Sequence, residues 1–290
     1  MRYKETIAKL QRELPLQIKI LRKEYSKIVN KRERSEKMND LVSYRKRMKD
    51  GLAFLRQIKD RKTIETIEKI QNPPKSLTHE NKQRYSLALK NYREGKNIKF
   101  DQSEIENLAV KLRNIPLIHT TKTPDLIKSN GIVPASELWL SKVKSCANAM
   151  DIILGLDKYV FLTHGFSLPN FSDSFVEISS ELVAKETTLV SSLDLFTFVL
   201  IKTKKTAPCS IATQEWIIGL EDYSRNMFLG EDFWQIKAEY ILTFFETTED
   251  YNEFAKKHFY ANFVSMSPEN EYPFLGEVKI LGEIGASDIL

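Results

Sequence analysis

Three short apolar segments each carry a side chain able to do chemistry. They are Pro116-Leu117-Ile118-His119-Thr120-Thr121, Lys158-Tyr159-Val160-Phe161-Leu162-Thr163 and Ile236-Lys237-Ala238-Glu239-Tyr240-Ile241-Leu242. Each is rich in β-branched and aromatic residues and reads as a strand. An imidazole, an aromatic ring and a carboxylate on three different strands converge only in a folded cleft. Glu239, set between Ala238 and Tyr240, is costly to bury unless that cleft is polar. Other chemistries find less support. Glu221-Asp222 and Glu231-Asp232 are adjacent acidic pairs, and neighbouring side chains on a strand point to opposite faces, which does not suit a shared metal ion. The ten glycines lack the spacing of a phosphate-cradling loop. Cys146 and Cys209 are the only cysteines; they form one bridge at most, lack metal-ligand spacing, and read as reduced and buried. His164 follows the second strand and reads as a loop residue without a role, the alternative being a place in the lining of the cleft.

After His119 the chain runs Thr123-Pro124-Asp125-Leu126-Ile127-Lys128-Ser129-Asn130-Gly131-Ile132. Thr123 is placed to cap a short helix, Pro124 takes its first position and Gly131 closes it. This order and the His, aromatic and Glu trio resemble the ADP-ribosyltransferase superfamily, in its diphtheria-toxin and PARP-like class. The resemblance covers roughly residues 114–245. It implies NAD as cosubstrate, with His119 bonding the adenosine ribose and the backbone of Thr120 meeting the nicotinamide carboxamide. Phe161 would stack on the nicotinamide, Tyr159 is the neighbour that could substitute for it, and Thr163 completes the cofactor-binding set. Glu239 would be the catalytic carboxylate. Such transfer breaks an N-glycosidic bond through an oxocarbenium-like transition state, so a carboxylate must stand near the developing positive charge. Lys237 occupies the position, two before the glutamate, where arginine-directed toxins place Glu or Gln; that class is disfavoured and the acceptor is open. A basic helical part ahead of a His-containing strand is also distantly similar to bacterial effector arginine ADP-riboxanases, without a counterpart to their ankyrin repeats. The resemblance therefore implies an effector or toxin modifying a macromolecule, expected to be a host protein. The alternative is a non-catalytic protein that uses its basic helices on a protein or nucleic-acid partner.

The elements that must position these residues divide by charge. Residues 1–100 hold 28 Lys and Arg against 12 Asp and Glu, a net +16, and the other 190 residues carry −11. Such asymmetry predicts two modules, a basic helical one over 1–113 and the catalytic-type domain over 114–290. Apolar residues at Ile7, Leu10, Leu14, Ile18, Leu21 and Tyr25 keep helical spacing, with Pro15 expected to kink the helix. A second helical stretch runs from Met38 to Ile70 and ends at Asn72-Pro73-Pro74. Further helices are expected at about 79–94 and 102–113, the latter capped by Asp101 with Glu104 as capping-box partner. The basic segment 38–60 has the look of a calmodulin-type or other acidic-protein target, with nucleic acid and a membrane surface as other partners.

Beyond Ile115 further strands are expected at Phe175–Ile178, Leu193–Lys202, Trp216–Leu220, Ile236–Phe245, Phe259–Ser265 and Val278–Ile284, with a helix at Thr248–Lys257. Few helices between strands favour an α+β fold of two packed sheets over a doubly wound one. No run of about 18 apolar residues predicts a membrane span. The charged N-terminus predicts no cleavable export signal, which leaves a cytoplasmic protein or an effector secreted without one.

Overall fold

Capping and apolar spacing set the N-terminal elements. The computed structural model describes residues 3–138, 151, 154–168, 172–193, 198, 214–258 and 274–290. Helix α1 (Tyr3–Tyr25) runs through Pro15 and pairs with α2 (Lys31–Gln57), whose first turn is capped by the Asn30 side chain. The expected single helix from Met38 to Ile70 is two. The chain breaks at Ile58–Asp60, where the Asp60 carboxylate accepts from the Thr63 amide and starts α3 (Arg61–Gln71). Helix α4 (Lys75–Lys96) follows the two prolines. Helix α5 (Gln102–Arg113) starts with the expected reciprocal capping box of Asp101 and Glu104. Pro124 opens the short α6 (Pro124–Asn130), and Gly131 ends it at a φ of 79°, a conformation that favours glycine. Thr123 makes no side-chain capping bond there. A single turn, α7 (Ala135–Leu138), follows.

Two of the expected strands are helices. Trp216–Leu220 lies within α8 (Gln214–Arg225), and Ile236–Phe245 falls almost wholly within α9 (Phe233–Phe244). Nine of the twelve α9 residues are buried. A helix enclosed on all sides is apolar all round, and over a short window its sequence is indistinguishable from a buried strand. Helix α10 (Thr248–His258) stands as expected, with Glu249 and Asp250 in its first turn. Leu193–Lys202 lies largely, and Phe259–Ser265, Cys146 and Cys209 lie wholly, outside the described residues.

The strands are β1 (Leu117–Thr120), β2 (Tyr159–His164), β3 (Phe175–Ile178), β4 (Leu189–Ser191), β5 (Met227–Leu229) and β6 (Glu277–Leu281). Among the described residues they form one antiparallel sheet of order β3-β1-β2-β6-β4-β5, not two packed sheets, within an α+β fold. Strand β2 is its joint. Tyr159–Leu162 pair with β6, whereas Thr163 and His164 pair with β1. The sheet face carrying Val160, Leu162, His164, Val278 and Phe228 packs under the helices: Tyr85 of α4 meets the Phe228 ring edge-on at 5.6 Å, and the His164 ring lies against Phe233 and Trp234.

The main core is continuous across the expected module boundary. It joins Leu55, Ile67, Tyr85, Leu89 and Leu112 from the basic helices to Val160, Phe228, Ile236 and Val278. Helices α3 to α5 thus pack as the cover of the sheet, and residues 1–113 share one core with the strands and with α9. No helix among the described residues is long and apolar enough to cross a membrane.

Candidate functional site

Strand β1 presents His119 half-buried at its open end, after the buried Leu117 and Ile118. The imidazole Nδ1 lies 3.2 Å from the Phe161 carbonyl. A carbonyl only accepts, so Nδ1 carries the proton and Nε2 keeps a lone pair. Burial lowers the His119 pKa below its ordinary value, more than the Phe161 carbonyl raises it, which favours the neutral ring near pH 7. Thr120 Oγ1 accepts the Leu168 amide at 2.9 Å, which ties the loop after β2 back onto β1.

Strand β2 carries Tyr159 and Phe161, both half-buried, and the buried Thr163, whose hydroxyl donates to the Phe166 carbonyl. Alternation puts these three on one face and Leu162 with His164 on the other. Leu117 is level with His164, so His119 belongs by alternation to the helix-covered face, opposite Phe161. What links the two residues is the imidazole bond to the Phe161 backbone.

The neighbour of the aromatic strand is β6. Phe161 is level with Lys279, and Glu277, two residues earlier on β6, lies by alternation on the same face. Glu277 is in turn level with Ser191 of β4. The three side chains form a tight buried cluster. Lys279 Nζ lies 2.5 Å from Glu277 Oε2 and 2.5 Å from Ser191 Oγ, and the serine oxygen lies 3.2 Å from the same carboxylate oxygen. Two rings face the ammonium, with Phe161 at 5.7 Å and Tyr223 of α8 at 5.4 Å to the centroids. Burial opposes charging of Lys279, but the Glu277 carboxylate and Tyr223 outweigh it and raise its pKa above the ordinary value. The cluster is thus an ion pair, with the ammonium compensating a carboxylate almost removed from water. Burial pushes the Tyr223 phenol up to about 12.

Glu239 is elsewhere. It sits on α9, not on a strand, and faces α4: Arg93 Nη1 is 2.8 Å from Oε1 and Ser86 Oγ is 2.9 Å from Oε2. Arg93 also reaches Thr243 Oγ1 at 3.3 Å and stacks over Phe100 at 4.5 Å. The carboxylate joins two helices. Two positions earlier, some 200° around the helix, Lys237 faces the sheet. Its amine is 2.5 Å from His164 Nδ1 and 3.2 Å from the His164 carbonyl, over the Tyr251 ring at 4.6 Å. Desolvation lowers the Lys237 pKa well below its ordinary value. His164, expected in a loop, is the buried last residue of β2, with Nε2 at 2.9 Å from the Leu112 carbonyl.

The structure thus brings His119, Thr120, Tyr159, Phe161 and Thr163 onto adjacent strands and removes Glu239 from them. The carboxylate beside the aromatic strand is Glu277, which sequence reasoning passed over by starting the last strand at Val278. Its signal was legible in Glu277-Val278-Lys279-Ile280, where polar and apolar residues alternate as on a strand with two distinct faces. Among the described residues no group of three His, Cys, Asp or Glu side chains is placed to hold a metal ion. In comparison with known proteins, the sequence matches no family model and no curated sequence.

Proposed function

We propose that the chain is an NAD-dependent ADP-ribosyltransferase acting on a macromolecule, with Glu277 as its catalytic carboxylate in place of Glu239. One observation carries the reading: β6 pairs with β2, so a buried glutamate stands on the strand beside Tyr159 and Phe161, while the strand of His119 flanks them on the other side. These residue types suit the ligand. The half-buried rings offer a stacking surface, and Glu277, on the same face as Phe161, supplies negative charge where the ribose carbon becomes positive, while His119 on the other face holds the Phe161 backbone. NAD would supply the ADP-ribosyl group and lose nicotinamide, which takes the electrons of the N-glycosidic bond. Glu277 opposes the charge that forms and accepts the proton that the incoming nucleophile gives up. Lys279 and Ser191 hold its carboxylate in place through the 2.5 Å and 3.2 Å contacts. The expected acceptor is a host protein, and the expected setting is that of an effector or toxin.

The test is incubation with biotinylated NAD and a eukaryotic lysate. Glu277→Gln keeps the side-chain shape and removes the charge, so transfer falls by at least about a hundredfold. Glu239→Gln stays within a few-fold of wild type. Full transfer by the Glu277→Gln protein overturns the assignment.

A further inference from the structure

The hairpin of α1 and α2 has two sides. Its inner side holds two small satellite cores, Leu14, Met48 and Leu52 in one and Leu21, Tyr25 and Leu41 in the other, separate from the main core. Tyr3 and Leu55, at the opposite end of the hairpin, belong to the main core, so the part from about residue 14 to 52 stands out from the body as an arm. On the outer side of α1, half a helical turn from Leu14 and Leu21, Leu16 and Ile20 lie one turn apart. They are 58% and 53% exposed. Arg12, Lys19 and Lys23 are exposed on the same side, and Val29 at the tip of the arm is 94% exposed.

We propose that this outer face of α1 docks on a membrane surface bearing anionic lipid headgroups. Residues 1–60 hold 18 Lys and Arg against 8 Asp and Glu, a net +10, so the partner is anionic. Several basic residues of α3 and α4 meet acidic groups far along the chain, Lys62–Glu221 at the surface and Lys82–Asp232 and Arg93–Glu239 in sheltered positions. Among the described residues of the hairpin, Arg12–Glu13, Lys27–Glu24 and Arg32–Glu36 are local pairs at the surface. Both nucleic acid and lipid offer phosphate, and the aliphatic residues decide between them. Against a phosphate backbone Leu16 and Ile20 stay in water. At the headgroup boundary they enter the acyl layer while the stems of Lys19 and Lys23 run up to the lipid charges, the pattern of a helix lying in the interface.

The test is flotation of the full chain with vesicles of phosphatidylcholine alone or mixed with phosphatidylserine, at low and high salt. Binding to the mixed vesicles that weakens with salt is expected. Lys19→Gln with Lys23→Gln weakens it about twenty-five-fold, at about fivefold for each charge near the surface. Leu16→Ser with Ile20→Ser weakens it at least tenfold, on the scale of burying apolar side chains, while helical content by circular dichroism stays that of wild type. The proposal is overturned if the mixed vesicles are not bound, or if neutral vesicles are bound as tightly. It is equally overturned if the Leu16→Ser, Ile20→Ser protein floats like wild type. Single-stranded RNA retained by that variant under conditions where wild type ignores vesicles would make the arm a nucleic-acid surface instead.

Discussion

Glu239 tests the fold and the site at once. Its side chain is 8% exposed and that of Arg93 is 14% exposed, so the pair lies at the buried end of the range for ion pairs. Removing one partner of such a pair leaves the other charge without compensation, at a cost of about 3–5 kcal/mol. Glu239→Ala therefore lowers the urea unfolding free energy by about that amount, and the melting temperature by roughly 6–15 °C for a chain of this size. Glu239→Gln behaves differently. Its amide oxygen still accepts from Arg93 and its amide nitrogen can donate to Ser86, so the loss is that of charge assistance, about 1–2 kcal/mol. Replacing both Arg93 and Glu239 by methionine removes the two desolvated charges together, and the pair of changes costs less than Glu239→Ala alone. A cost below about 1 kcal/mol for Glu239→Ala would show that the two helices do not meet through this pair. Loss of the proposed ADP-ribosyl transfer in a Glu239→Gln protein that remains folded at the assay temperature would refute the placement of the reaction on β6.

Two further outcomes come from buried groups. Lys237 has a depressed folded-state pKa, so the unfolded chain binds a proton that the folded chain does not, and this contribution to stability rises with pH from that depressed value to about 10.4. Compared with Lys237→Met across about pH 9 to 10, wild type should gain up to roughly 1.4 kcal/mol per pH unit in chemical unfolding; a difference that does not vary with pH would show that the amine is not desolvated. Gly230 has no room for a side chain, since a Cβ there would meet the Val183 carbonyl oxygen at 2.0 Å and the Thr188 side chain at 2.9 Å. Gly230→Ala should cost about 1–3 kcal/mol in thermal unfolding, and unchanged stability would mean that the turn into α9 is not packed as described.

What was legible in the sequence was local. Leu117–Thr120, Tyr159–His164 and Phe175–Ile178 are strands because β-branched and aromatic residues alternate there between two faces. The capping box of Asp101 and Glu104 marked its helix to the residue. The break at Ile58–Asp60 carried a signal too, Asp60 three residues before Thr63, but the apolar spacing on either side runs on in helical register and hides it. Where burial is complete, pattern disappears. Ile236–Leu242 is buried on nearly every side because α9 is enclosed by α4, α5 and the sheet, and its two charges, Lys237 and Glu239, alternate with apolar residues as they would on a strand, so seven such residues do not separate a period of 3.6 from a period of 2. The strand reading then carried Glu239 into a site it does not share, since a buried carboxylate looks the same from sequence whether an arginine or a substrate compensates it.

The division of charge has a physical reason other than a domain boundary. Basic residues of α3 and α4 reach acidic residues more than a hundred positions away: Lys62 to Glu221, Lys75 to Glu186, Lys82 to Asp232 and Arg93 to Glu239. Opposite excesses on the two parts of the chain thus attract each other across the seam where the main core also runs. The two outer pairs are exposed and contribute little, whereas Lys82–Asp232 and Arg93–Glu239 are largely sheltered and fix which face of α4 meets the turn into α9. A boundary drawn where net charge changes sign therefore cuts through the part of the fold held together by that change. A fragment ending at residue 113 would lose the acidic partners of α3 and α4 and expose Ile67, Tyr85, Leu89 and Leu112, which the sheet and α9 now cover. Among the described residues only the arm of α1 and α2 keeps small cores of its own, apart from the core that the sheet and α9 share with α3 to α5.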